Sequence, residues 1–316
     1  MPQSLKPAIA ALVLAGFGWG TTGLFIRLIG SLGVSIYDLL LLRLIVTGIV
    51  LAPVLILTKI QAARQDSAPS LYRPTFFLGL SMVFYYLGAI AAFTHLKLVV
   101  AALLVGSSPL LAWILPFLLE RRLPRKMDLE KGRGVGIALL GLTLLVFAHH
   151  DHPTSAPVLH QLPWLGYLGG IVASSITVGN ARFLSRYPKP PQPIDITFAT
   201  VIIGLGFGAV AMTFVPDLIH PLKQLEVFQN HPFQVLGFGV LATAVPGLAI
   251  AYASVRLAPQ ATATVSIQLQ VWTGVLAWII LGEIMTTVQV VAAILILLGS
   301  WLCVRNKQPA SQKGNP

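Results

Sequence analysis

The sequence predicts an all-α integral membrane protein, with ten transmembrane helices arranged as two inverted five-helix repeats. Three observations predict it. Apolar residues make up 56% of the 316 and charged residues only 10%, with a mean hydropathy of +0.82. A water-soluble domain carries about 25% charged residues, so most of this surface faces lipid. The cations are segregated to one side of the predicted membrane, and landmarks of the first half recur about 158 residues later.

Uncharged apolar runs of roughly 20 residues are long enough to cross a bilayer as helices. Ten such spans occur: 8–29, 36–58, 74–95, 98–119, 133–149, 162–181, 196–215, 233–255, 257–282 and 285–304. The fifth is short, with Lys131 or Arg133 snorkelling at its edge. The runs show no period-2 alternation, which argues against a lipid-facing barrel. Residues 1–150 form the first repeat, 151–161 a connecting external loop, 162–304 the second repeat and 305–316 a cytoplasmic tail. Lys6 followed by an apolar run resembles a signal peptide. The run is long and no clear small-residue cleavage site follows it, so it is taken as span 1. Cys303 is alone, which leaves no intramolecular disulfide.

The net charge of +11 raises the question of nucleic acid, but its distribution answers it. With the N-terminus in the cytoplasm, 17 of the 21 Lys and Arg fall on the inner side; Arg27, Lys97 and Lys223 fall outside, and Arg43 lies within a helix. This is the positive-inside signature. It places both termini in the cytoplasm, in an inner (plasma) membrane, and makes anionic lipid headgroups the partner of the basic charge. No nucleic acid is expected, and the assembly is a monomer or weak dimer.

Polar residues inside apolar spans are where chemistry is sought. Span 1 sets Trp19 among Gly16, Gly18, Gly20 and Gly23; glycines at this spacing let helices approach closely. Span 2 holds Arg43, a charge that costs about 2.5–3.5 kcal/mol to insert near the membrane centre and so faces the bundle interior. Tyr85 and Tyr86 in span 3 lie about 100° apart, so at most one points squarely into a cavity. Span 4 carries Ser107-Ser108-Pro109 and Pro116, and each proline frees a carbonyl one turn back. Ser174 and Ser175 lie in span 6, and Thr243, Pro246 and Tyr252 in span 8. In span 9, Gln268 and Gln270 are about 200° apart. Gln270 shares a stripe with Ser266 and Thr273, which makes it the cavity residue, and Gln268 is left for a neighbouring helix. The His149-His150-Asp151-His152 cluster lacks the helical i,i+4 pairing of a metal site, so neither metal nor cofactor is assigned.

The repeat rests on nearly constant offsets. Arg27 to Arg182 is 155, Asp38 to Asp195 is 157, Gly88 to Gly247 and Lys97 to Arg256 are 159, and Gly141 to Gly299 is 158. Glu120 to Glu283 departs at 163, but Gly134 then matches Ala292 at 158. Five helices per copy is an odd number, so the second copy enters from the opposite face. Inverted repeats with a site near the midplane are the mark of secondary transporters. Lys97 and Arg256, at matched helix ends on opposite faces, join Arg43 as candidate gate or ionic contacts. Glu120 and Glu283, at helix ends, read as boundary markers.

The pattern resembles the drug/metabolite transporter superfamily, specifically its EamA-domain family. The resemblance is carried by Trp19-Gly20, Arg43, the run through Leu98, Pro109 and Glu120 with Gly134 and Gly141, and Trp278 to Glu283 with Gly299. It covers essentially the whole chain and implies an exporter of amino acids or other small metabolites, or an uptake carrier, with a central cavity shared by the halves. Two features depart from the family pattern: Gln268-Leu269-Gln270 replaces the usual proline of span 9, and Ser174-Ser175 replaces the Trp-Gly of span 6.

The expectation is a non-enzymatic secondary carrier of a small polar or amphipathic solute, working by alternating access. Trp19 and Tyr252 are its apolar walls, Tyr85 or Tyr86 offers a hydroxyl, and Ser108, Ser175 and Gln270 supply hydrogen bonds. A proton is the candidate coupling ion, but no carboxylate lies clearly at mid-membrane, so facilitated or potential-driven movement stands equally. Two alternatives are a phosphate-ester or nucleotide-sugar antiporter, which needs several cavity cations, and a membrane-embedded lipid or prenyl transferase, which needs a carboxylate–metal cluster.

Overall fold

Prolines open four of the helices. Pro163, Pro193, Pro221 and Pro232 each stand at the first helical position, where a missing N–H costs nothing and the fixed φ suits the helix. The computed structural model describes residues 5–64, 72–108, 111, 133–144 except 142, 162–184, 191–254 except 192, 216 and 218, and 265–305. In chain order these form α1 (Leu5–Gly20), α2 (Thr22–Gly30), α3 (Ile36–Arg64), α4 (Tyr72–His95), α5 (Leu98–Val105), α6 (Pro163–Leu184), α7 (Pro193–Phe214), α8 (Pro221–Asn230), α9 (Pro232–Gly239), a π-helical turn (Val240–Ala244), α10 (Val245–Ser254), α11 (Val265–Leu281) and α12 (Thr287–Arg305). A helical run also covers 133–141. There is no strand among the described residues.

Five helical stretches are long and apolar enough to cross a membrane: Lys6–Gly30, Ile36–Val54, Arg73–His95, Ile194–Phe214 and Pro232–Ile250. They correspond to predicted spans 1, 2, 3, 7 and 8. The apolar helices Gln268–Leu281 and Thr287–Gly299 are shorter and fall in spans 9 and 10, while α6 coincides with span 6. Much of spans 4 and 5, and the His149–His152 cluster, lie outside the described residues. Two spans predicted as continuous helices are interrupted. Span 1 breaks at Thr21, whose N–H is shared between the carbonyls of Phe17 and Gly18, both at 3.1 Å, and whose hydroxyl donates to Gly18 O at 2.7 Å. Span 8 passes through the π-turn immediately before Pro246.

The described helices fall into two compact units: 1–108 with 153–284, and 109–152 with 285–316. Each therefore draws on both halves of the chain. In the first, α4 packs against α6 and α1 against α10. At an offset of about 158 residues α4 corresponds to α10 and α6 to α1, so one contact is the image of the other. Helix α1 also packs against α11, which falls in span 9, and α6 against α5, which falls in span 4. In the second unit, a Cβ on Gly299 would strike the Gly134 carbonyl, and one on Gly141 would lie 2.7 Å from the Ala292 carbonyl. Gly134 matches Ala292 and Gly141 matches Gly299 in the repeat. Reciprocal contact of matched positions is what a two-fold relation requires.

The α4–α6 contact is a glycine–glycine crossing. A Cβ added to Gly88 would meet the Gly169 carbonyl at 2.6 Å, and one added to Gly169 the Gly88 carbonyl at 2.5 Å. In lipid, such close backbone approach is a main source of helix association. Gly169→Leu is expected to force the helices apart and lower the melting temperature of the detergent-solubilised protein. Gly206→Leu, where nothing lies within 4 Å of the added Cβ, is the control expected to leave it unchanged.

Candidate functional site

The site begins with Pro246. A proline cannot donate to the carbonyl four residues back, so Ala242 O is released inside the π-turn. It accepts from Arg43 Nη2 at 3.2 Å and from the Thr22 hydroxyl at 3.5 Å. Arg43, only 2% exposed, also donates through Nε to Thr243 Oγ1 at 2.6 Å. Its guanidinium lies 4.1 Å from the Tyr86 ring centroid and 5.3 Å from that of Phe238. Proline, π-turn and arginine thus form one device, in which a broken helix supplies the acceptors that let a charge sit in the bundle. Arg43→Lys keeps the charge but loses the planar fork. It is expected to cost about 1.5–3 kcal/mol, the range for hydrogen bonds to charged groups, as read from thermal unfolding in detergent.

The break in span 1 is tied on its other side to α11, where the Thr273 hydroxyl donates to Gly20 O at 3.0 Å. Beside it α5 ends after only eight residues, at Val105. At 1.5 Å per residue it reaches about 12 Å below its start, close to the middle of a ~30 Å hydrocarbon layer. Ser107 Oγ lies 3.1 Å from Ser174 Oγ, and Ser174 Oγ contacts the carbonyls of Leu104 and Val105, so α6 satisfies the groups the break exposes. Gln270 of α11 lies directly against Gly106. It is 3% exposed, and neither its Oε1 nor its Nε2 has a hydrogen-bond partner among the described residues. Gln268 rests against Gly16 of α1, and its buried Oε1 also lacks a partner among them.

At one end of these helices lies a buried ion pair. Arg27, counted from sequence with the flanking cations, is 5% exposed. Its Nε donates to Phe93 O at 2.9 Å and its Nη2 to Leu96 O, so it closes the carbonyl end of α4. Glu283 stands 3.9 Å from Arg27 Nη2 and accepts the Leu98 N–H at 3.1 Å, closing the amide end of α5. Each charge meets the helix terminus of opposite partial charge. Burial pushes the Glu283 carboxyl up from its ordinary value, against the pull of Arg27, the Leu98 N–H and Lys97. Sequence reading took Glu283 for a boundary marker and missed this pairing. A glutamate directly after an apolar span was its only local signal.

The other candidates divide. Trp19 is half-buried against a cluster of Leu12, Ala15, Ala249 and Ala253. Tyr86 is buried under Arg43, and Tyr85 packs on it with ring centroids 5.5 Å apart. Ser108 and Ser175 are half-buried; the hydroxyls that join α5 to α6 belong to their neighbours Ser107 and Ser174. Lys97 is half-buried at the start of α5. Tyr252 is 41% exposed on α10. Arg256 lies outside the described residues.

Long apolar helices, interrupted around buried hydrogen-bonding side chains, are the form of a membrane protein. Comparison with known proteins carries this to a family. The chain belongs to the EamA-like transporter family, which matches residues 6–147 and again 164–305. It is accordingly a membrane transporter of small solutes, built from two copies of the family's repeat. No curated protein matches it, whereas 14 solved chains do. One of them, titled "Crystal structure of protein", is 17% identical with a TM-score of 0.57, covering 94% of this chain and 96% of its own. That likeness shows a shared fold over nearly the full length.

Proposed function

We propose that this protein moves a small polar or amphipathic metabolite, an amino acid or similar solute, by alternating access between two inverted repeats, in the direction of export. The observation that carries this is Gln270. A carboxamide buried at a mid-membrane helix break with both polar atoms uncommitted is costly to keep unless a solute completes it. Arg43, on its aromatic bed, is the ionic contact nearest in chemistry to a substrate carboxylate. Inversion is supported by the helix ends that meet. Odd parity puts Arg27, Leu98 and Glu283 on one face, and they are in contact. It puts Asp38 and the segment between α7 and α9 there too, and Asp38 accepts from Gln224 Nε2 at 2.6 Å. Both termini then face the cytoplasm of a plasma membrane.

The sugar-phosphate alternative needs free cations in the cavity. Of its candidates Arg43, Lys97 and Arg256, Arg43 is the one placed deep among the helices, and its Nε and Nη2 are already given to Thr243 Oγ1 and Ala242 O; a single cation so held suits one carboxylate better than a phosphate ester, so the amino-acid reading is preferred. Counterflow into proteoliposomes tests it. Labelled amino acids are expected to accumulate against the same unlabelled solute, and sugar phosphates are not. Transport of phosphate esters alone would transfer the assignment to the antiporter class.

A further inference from the structure

The helix α8 is apolar on the wrong side for a surface helix in water. The residues it turns to the protein are Gln224 and Val227; those turned away include Leu222, Leu225 and Phe228, which are 84%, 54% and 39% exposed. At about 100° per residue, its circumference divides into three arcs. Gln224 and Val227 occupy one, against the protein. Glu226, Asn230 and the half-buried Lys223 occupy a second, and Phe228, Leu225 and Leu222 the third, with Gln229 the one polar residue inside the apolar arc, between Leu225 and Leu222. A helix in water needs two such faces; a helix lying at a boundary between protein, water and lipid needs three.

Length and position agree with a boundary. Ten residues extend about 15 Å, half of a ~30 Å hydrocarbon layer, so α8 cannot cross. It joins two stretches that can, Ile194–Phe214 and Pro232–Ile250, and therefore lies at the face where the chain emerges and re-enters. Exposed aromatic residues stand on both sides of it in the chain: Phe214 at the end of α7 and Phe233 at the start of α9 are 78% and 87% exposed. The polar anchor is on the protein side. Asp38 accepts from Gln224 Nε2 and from His220 N at 2.9 Å, which fixes the helix rotation and keeps Leu222 outward. Lys223 lines a pocket of about 470 Å³ together with His220 and residues of the turn 30–35.

We infer that α8 is an in-plane lipid-binding helix, with phospholipid chains covering Leu222, Leu225 and Phe228 while Glu226 and Asn230 stay in water. Amphipathic helices of this kind sit about 5–10 Å into the boundary between headgroups and acyl chains. The full chain carrying Cys303→Ser, with single cysteines introduced as Leu225→Cys or Asn230→Cys, about 140° apart on the helix, and nitroxide-labelled, is placed in phospholipid nanodiscs. Collisions with oxygen, which enriches in lipid, are compared with those of a water-soluble nickel chelate. The oxygen-to-nickel ratio at 225 is expected to exceed that at 230 severalfold. Equal ratios, or a higher one at 230, would put the apolar arc in water and overturn the inference. Exclusion of both reagents from 225, deepening as more protein is loaded per disc, would mean that a second copy covers the arc, and would overturn it equally.

Discussion

Glu283→Ala is expected to destabilise the carrier by about 3–5 kcal/mol, the cost of leaving one partner of a buried ion pair behind. Three losses coincide: Arg27 loses its countercharge, the amide end of α5 loses its acceptor, and the two helix ends that the pair holds together are released. The measurement is thermal unfolding of the purified protein in detergent, with Glu283→Gln as an intermediate case that keeps an acceptor oxygen but no charge. Arg27→Met combined with Glu283→Met is expected to recover much of the loss, because well-packed apolar residues commonly replace a buried pair at little cost. If both single variants melt with the wild type, the pair does not hold these helix ends. In the alternating-access scheme the same contact closes one face of the carrier. Glu283→Gln should then raise solute leak in proteoliposomes before it lowers expression.

Gln270→Leu is expected to separate transport from stability. Removing a buried carboxamide whose Oε1 and Nε2 have no partner among the described residues relieves a desolvation penalty of about 1–3 kcal/mol, so the variant should melt no lower than the parent. Transport should fall by about 5–150-fold in kcat/KM, since the lost hydrogen bonds to solute are worth the same 1–3 kcal/mol at 1.4 kcal/mol per factor of ten. Unchanged transport in a normally folded Leu variant would remove Gln270 from the site. Gln268→Leu is the companion measurement. That side chain rests against Gly16 and is expected to affect packing of α1 more than solute affinity.

What the sequence determined by itself was set by solvent and by periodicity. Lipid admits only backbones that satisfy themselves, so long uncharged runs had to be helices. An arginine in span 2 had to turn inward, and the constant offset between landmarks implied two copies of one repeat, which the family match at residues 6–147 and 164–305 shows. The repeat offset even paired Gly134 with Ala292 and Gly141 with Gly299, the residues whose reciprocal contacts pack 133–141 against α12.

What only the tertiary structure decided was rotation and long-range pairing. Ser107 and Ser108, or Ser174 and Ser175, differ by about 100° around a helix, and nothing local says which of two adjacent hydroxyls faces the neighbour. The neighbour's position decides, and it chose Ser107 and Ser174 for the link between α5 and α6. Pro246 was visible in the sequence, but the use of its freed carbonyl by Arg43, 199 residues away, was not. Arg27 and Glu283 read as ordinary edge charges because each has its countercharge in a distant segment of the chain. Burial of a charge is a property of the pair, and a pair separated by half the chain or more exists only once the helices have packed.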